Sequence, residues 1–522
     1  MRKSRNDLEE GDFHFPRDYE EWVPLGYTQF IYWLGRKINK FNHMVGELSI
    51  TGNVNIEFMQ KSFEHIINKH LVFKAQISSF FPKQRIVKNV TLNIELIKLD
   101  ANSDVSAVVN YHHTELLLKR LTLNKPPLLY MKLISSADNK SHYLLAGVPH
   151  IISDAYSLYI FLQDFIATYN KLLKDKDAIL PLPEYNDYYE KIIKDRDFFN
   201  KNSLKLIGFW EEYARNAKKL TLSFADTDFN RGYINNNFIF TKWNQDSLSK
   251  FKQIAERNNI SLNKALGVAT GLLLSCFIET DKIYLYNIVF GRENPKLKKI
   301  IGCLFQNELW GVPVNKEGTL LMHFSEFLKE EKRVAEYQNA PMMVKLWALD
   351  RNYFKESWEK SYFFRIGRYC ARRYFSSSFD TDVIDRTVKF MLMDIKNSAK
   401  IFLLKIKRNL FKINTQDQLD VSFCINVIPP VRGLHKMVAP TDFQFFVNEA
   451  SEKMPLIAKN IIMMFFFLRA DGTADIALNG VLTEHKKKQF LQAFVFMMDC
   501  LMNNEDIKIS TLLQKLNHFF VD

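Results

Sequence analysis

One short stretch concentrates the chemistry this chain could do: Gly147-Val-Pro-His150-Ile-Ile-Ser153-Asp154-Ala-Tyr-Ser157. A neutral imidazole can take a proton from an amine or hydroxyl as that group attacks an acyl carbon. Asp154 falls four residues on, at an expected helix start where the dipole favours its charge. On spacing alone the pattern is weak, because HxxxD arises by chance and a lone His is more often structural. The paired His112-His113 is a decoy. It sits mid-helix, is followed by Leu116, Leu117 and Leu118, has no Asp four residues beyond, and reads as structural. Nothing around Cys303 points to a lowered pKa, so it reads as packing.

The elements around His150 must place it. Leu128–Ser135 and His142–Val148 read as strands joined by the turn-like Ser136-Ala-Asp-Asn-Lys140. Ser153 or Asp154 then caps a strongly apolar helix to about Leu173, with Leu158, Phe161, Leu162, Phe165 and Ile166 inward. Upstream, Asn55 caps a helix bearing Ile56, Met59, Phe63, Ile66 and Ile67 on one face. A second helix spans about Val105 to Leu121. Lys174–Tyr189, with Pro181 and Pro183, reads as a connector. The second half expects helices at Gln245–Asn258, Leu262–Ile278 and Glu484–Met502, with strands at Lys282–Phe290, Val421–Val427, Ile461–Leu468 and Asp475–Leu478.

The 522 residues, 47% hydrophobic and 25% charged, fit a globular chain of two or more lobes. The five Cys have no CxxC and no metal-like spacing, which reads as a reducing compartment and no metal site. The N-terminus lacks an apolar signal core, and no apolar run reaches the roughly 18–20 residues of a membrane span. The expectation is cytoplasmic. A net charge of +13 is compatible with an anionic partner, but no zinc-finger spacing or RNP-like motif accompanies it, so nucleic acid is not expected. Between about 350 and 412 the chain interleaves Arg365, Arg368, Arg372, Arg373, Lys405, Lys407 and Arg408 with aromatic and aliphatic residues. Such a segment is either a helical insertion with a solvated basic face or a peripheral contact at the inner membrane surface.

Val148-Pro-His150-Ile-Ile-Ser153-Asp154-Ala155-Tyr156-Ser157 resembles the MHHxISDGWS signature of nonribosomal peptide synthetase condensation domains, shared more loosely across the coenzyme A-dependent acyltransferase superfamily. Further landmarks follow in order. Pro24-Leu-Gly-Tyr-Thr-Gln29-Phe-Ile-Tyr-Trp33-Leu resembles SxAQxRLWxL, and Asn68-Lys69-His70-Leu-Val-Phe-Lys74-Ala-Gln-Ile77 resembles RHExLRTxF. Tyr185-Asn-Asp187-Tyr188 resembles YxDF. Gly291-Arg292 with Ile301-Gly302-Cys-Leu-Phe-Gln306-Asn307 resembles GR…IGxFVNT. Glu336-Tyr-Gln338-Asn-Ala-Pro341-Met resembles HQDYPFE, and Val421-Ser-Phe423-Cys-Ile-Asn426 resembles vsFNy. Each is degenerate alone; their shared order is specific.

The resemblance implies an α/β fold of two chloramphenicol-acetyltransferase-like lobes, a V-shaped pseudo-dimer with a central tunnel. The lobes would be residues 1–180, carrying HxxxD, and 181–522, carrying the basic insertion. It implies an acyltransferase moving an acyl group from a thioester to an amine or alcohol acceptor. The donor would ride on phosphopantetheine of an acyl or peptidyl carrier protein, or on coenzyme A, with no permanently bound cofactor. His150 would be the base. The family's Asp, here Asp154, pairs with the Arg of the LRT segment, whose place Lys74 takes without the bidentate fork. Backbone around Ser153–Ala155 is nominated for the oxyanion, with Ser153, Ser157, Gly291, Arg292, Gly302, Asn307 and Asn426 in binding or support. No adenylation segment or carrier serine is recognised, so a free-standing enzyme is expected. Pro149 replaces the first motif His, Ala155 the motif Gly, and Gln306 displaces the motif Asn to 307. These departures leave open a catalytically inactive module that binds a carrier or partner enzyme.

Overall fold

The computed structural model describes residues 20–35 and 43–349, apart from 121, 184–185, 219, 223–237 and 293–294. It also describes 419–428, 443–444 and 461–520, apart from 470, 481 and 483. The basic stretch at 350–412 therefore lies outside the described residues. The chain divides into two compact units. The first comprises Met1–Lys201, Phe290–Phe305 and Gly433–Val447; the second holds Asn202–Val289, Gln306–Arg432 and Asn448–Asp522.

In the first unit, strand β1 (Val23–Pro24) precedes helix α1 (Tyr27–Gly35), strand β2 (His43–Thr51) and helix α2 (Ile56–Lys69). Asn55 Oδ1 accepts from Phe58 N–H, the expected cap. β3 (Ala75–Ile77) and β4 (Lys83–Ile86) form a small sheet with β1. β5 (Ile94–Lys98), helix α3 (Val105–Leu117), β6 (Tyr130–Ser135) and β7 (Ser141–Pro149) follow, and then helix α4 (Ala155–Lys174). The main sheet runs β2-β7-β6-β5, with β13 (Phe443–Gln444) on the outer edge of β2. α2 and α4 share a stack in which Phe63 lies parallel to Phe161 and Phe165. α3 covers the sheet through Val109 and Leu116, against Val45, Ile134 and Leu145. α3 ends earlier than expected because the Leu118 and Lys119 N–H groups turn back to Thr114 and Leu116.

Helix α5 (Asp187–Tyr213) begins inside the expected connector. Asn186 Oδ1 accepts from Tyr189 N–H, a cap that starts the helix despite the prolines before it.

The second unit is built on a sheet ordered β11-β10-β12-β14-β15-β9, with β8 (Leu220–Leu222) beside β12. These strands are β9 (Ile239–Trp243), β10 (Lys282–Val289), β11 (Gln306–Pro313), β12 (Leu419–Ile428), β14 (Ile461–Leu468) and β15 (Ala474–Asn479). Its helices include α6 (Gln245–Arg257), α7 (Leu262–Leu274), α8 (Leu320–Val334), α9 (Met342–Leu349) and the long helix Glu484–Asn503. One continuous core joins Leu266, Leu273, Trp310, Ile425, Met464, Ile476, Phe494 and Met498. α7 stops at Leu274, four residues short of expectation, where Ser275 Oγ bonds Leu272 O.

Candidate active site

β7 is paired on both sides, with β2 and β6, up to the position before the motif. Pro149 ends the ladder, having no N–H to continue it. His150–Ile152 make one 3-10 turn, Ser153 and Asp154 are extended, and α4 starts at Ala155. This turn closes on itself. Ser153 Oγ donates to Pro149 O at 2.9 Å, and Ser153 N–H donates to His150 O at 3.3 Å. One nominated oxyanion donor is thereby already engaged.

His150 Nδ1 lies 2.8 Å from Ser153 O. A carbonyl only accepts, so Nδ1 carries the proton and Nε2 keeps its lone pair. No described residue hydrogen-bonds Nε2. Tyr32 from α1 stacks on the imidazole, with ring centres 4.7 Å apart and planes 24° from parallel; Phe305 lies 5.5 Å away, tilted. Burial lowers the His150 pKa, against the opposing pull of the Ser153 carbonyl and Asp154. The ring is therefore neutral at pH 7, as a base must be.

Asp154 is buried and fully engaged. Oδ1 accepts from Ser157 N–H and Ser157 Oγ, both at 2.8 Å, capping α4. Oδ2 accepts from Arg292 Nη1 at 2.7 Å and Leu304 N–H at 3.0 Å. Arg292 also donates to Phe290 O, Ser157 Oγ, Ile300 O and Gly302 O, and its guanidinium lies 4.8 Å from the Tyr156 ring centre. The expected counterion, Lys74, bonds Asn68 Oδ1 and Lys88 O instead. The correction has a physical reason: one guanidinium offers the directed donors to serve a buried carboxylate, a hydroxyl and three carbonyls, which a lysine cannot. Arg292 was legible as a motif residue, but its partner was not.

His150, Ser153, Asp154, Ser157, Gly291, Arg292 and Gly302 thus form one constellation in the first unit. Gly291 holds φ +62°, the turn that delivers Arg292. A Cβ on Gly302 would stand 2.3 Å from the Tyr188 ring, so only glycine fits. Ala155 is an ordinary helical residue, so the motif position needs no positive φ here.

Asn307 and Asn426 belong to the second unit. Asn307 pairs with Ile288 across β10–β11, and Asn426 lies on β12 opposite Phe465 of β14. Both Oδ1 atoms are buried and lack a hydrogen-bond partner among the described residues. Lys345 of α9 donates to the Asn307 carbonyl, and burial brings its pKa down to about 7. The decoy histidines are structural: His113 is buried, and His112 lies against Glu115 and Lys132. Sequence reasoning missed Tyr32 and Phe305. Tyr32 stood inside a quoted motif, but no local signal ties it to His150.

Among the described residues no His/Cys/Asp/Glu group could hold a metal, and no helix is long and apolar enough to cross a membrane.

Comparison with known proteins matches the Condensation domain family model to residues 27–344. Bacitracin synthase 1 of Bacillus licheniformis is 24% identical over 351 residues, which are 64% of this chain and 6% of the synthase. The chain thus spans a small part of that relative's length. Among solved structures, the X-domain from teicoplanin biosynthesis superposes with TM-score 0.65 at 12% identity, covering 94% of this chain and 97% of the other. That domain has also been solved in complex with OxyB. A mutant starter condensation domain of rhizomide synthetase, in complex with C8-CoA, gives TM-score 0.63 at 13% identity, covering 94% and 97%. These likenesses show a mixed α/β condensation-domain fold.

Proposed function

Since the chain belongs to the condensation-domain family, we propose that it is an acyltransferase of nonribosomal-peptide-type biosynthesis, with His150 as its base. The donor is a thioester, carried on the phosphopantetheine of a carrier protein or on coenzyme A. The acceptor is a small amine or alcohol. Nε2 takes the proton as the nucleophile's lone pair attacks the thioester carbonyl. The tetrahedral intermediate then collapses, the C–S bond breaks, and the leaving thiolate recovers that proton. The products are an amide or ester and a free thiol.

The observation that carries this reading is the Nδ1 contact with Ser153 O, which fixes the tautomer and aims a neutral base. Asp154 supports the loop, because both of its oxygens are occupied by protein donors. No covalent acyl-enzyme on Cys303 is required: burial pushes its thiol well above the ordinary range, so it is not a nucleophile. The positive charge of the chain favours an anionic carrier or coenzyme A.

The test is thiol release from a panel of acyl-coenzyme A and acyl-carrier donors with mixed amine and alcohol acceptors. His150→Ala should lower the rate about 10²–10⁴-fold while the fold holds. Equal rates in both proteins would remove His150 as the base. A second reading is a binding module, favoured by the likeness to an X-domain that was solved with a partner. Tight carrier binding, with silence in every donor and acceptor pair, would select it.

A further inference from the structure

α1 divides its side chains between two tasks. Gln29 bonds Gln84 within the protein interior, and Trp33 Nε1 donates to Ser78 O at 2.7 Å, so this face is fastened to the β3–β4 hairpin. Thr28 and Tyr32, one turn apart, face the motif turn. Thr28 Oγ1 contacts Phe305 O at 3.4 Å, and Tyr32 stacks on His150 while meeting Phe305 edge-on, with ring centres 6.2 Å apart. The imidazole is pinned at one nitrogen by Ser153 O and covered on one face by Tyr32. A single hydrogen bond leaves a ring free to tilt about it; a stacked aromatic removes that freedom.

We infer that Tyr32 is a positioning residue for His150, its ring holding the imidazole plane and shielding it from water. The inference rests on the acyltransfer reading for its kinetic consequence, but not for its direct readout. The charged and titratable groups facing the imidazole are few. Asp154 is neutralised by Arg292, and the Tyr32 hydroxyl and Cys303 thiol are both pushed up by burial and stay neutral. Desolvation is therefore the lever that Tyr32 controls.

The experiment compares Tyr32→Phe, which keeps the ring, with Tyr32→Leu, which fills most of the volume without one. NMR titration follows the His150 resonance, identified by its loss in His150→Ala. Tyr32→Phe should titrate as wild type. Tyr32→Leu should move the midpoint up towards about 6.5, the value of a free imidazole. In the transfer assay Tyr32→Leu should lose about 10–100-fold in kcat, with KM little changed and the acid limb of the pH profile moved upward. An unmoved midpoint in folded Tyr32→Leu overturns the inference, as does a Tyr32→Phe variant as impaired as Tyr32→Leu, which would assign the role to the hydroxyl. Should Tyr32→Leu not fold, Tyr32→Met is titrated with the same two outcomes. A moved midpoint without any transfer activity in wild type supports the positioning role and counts against the acyltransfer reading instead.

Discussion

Asp154 and His150 stand four residues apart, yet their removal should have opposite signatures. Deleting the Asp154 carboxylate leaves the Arg292 guanidinium, 2% exposed, with no counter-charge and uncaps α4. Breaking a buried pair from one side costs about 3–5 kcal/mol. Asp154→Ala should therefore show that loss in urea unfolding, with impaired transfer as its consequence. Replacing both partners, as in Asp154→Leu with Arg292→Met, should cost less than the two single changes summed. His150→Ala should unfold near the wild-type midpoint and lose activity alone. Lys74→Ala should cost at most about 1 kcal/mol, because its amine bonds Asn68 and a carbonyl rather than the motif carboxylate.

At the scale of elements, close approach decides the sign of a substitution that propensity alone would get wrong. α7 lies against β11 with Gly267 and Gly271 at the contact. A Cβ on Gly267 would stand 2.4 Å from the Trp310 ring, and one on Gly271 would stand 2.9 Å from Val312. Alanine in a helix is favoured over glycine by about 1 kcal/mol. Forcing a methyl against a buried ring costs about 1–3 kcal/mol, and Trp310 is 2% exposed with little room to move. Gly267→Ala should thus lower stability in denaturant unfolding, and Trp310→Leu in that background should cost less than it does in wild type. The helix itself was legible from its apolar run and from Ser261, whose side chain accepts from Lys264 N–H. Its glycines carried no such message, because the ring they accommodate comes from a strand read elsewhere in the chain.

For the whole molecule, buried histidines set a pH dependence. Burial lowers both His43 and His113 from 6.5 to about 4. The unfolded chain protonates these groups first, so their contribution is present above pH 6.5 and is lost as pH falls towards 4. A shift of 2.5 units at 1.36 kcal/mol each gives about 3 kcal/mol per group at most. His43→Phe should therefore flatten the pH 4–6.5 slope of stability, with little change at pH 8. An unchanged slope in thermal unfolding across that range would show that His43 is already solvated in the native state.

What could be read from the sequence alone was short-ranged. Asn55, Asp154, Asn244 and Ser261 each cap a helix with a side-chain oxygen three residues from its donor. Apolar periodicity placed α2, α4, α7 and the central strands, because their faces pack on whatever core is present. The ordered motifs identified the family, and His150 stood out by its place between strand and helix. Tertiary structure alone decided the rest. Asp154 takes its partner 138 residues away rather than at Lys74, Tyr32 comes from another helix to cover His150, and Gly302 is required by a ring on α5. A buried charge selects whichever donor fork reaches it, and a ring stacks wherever two elements converge. Both are properties of the packed volume, which no local window of the chain contains.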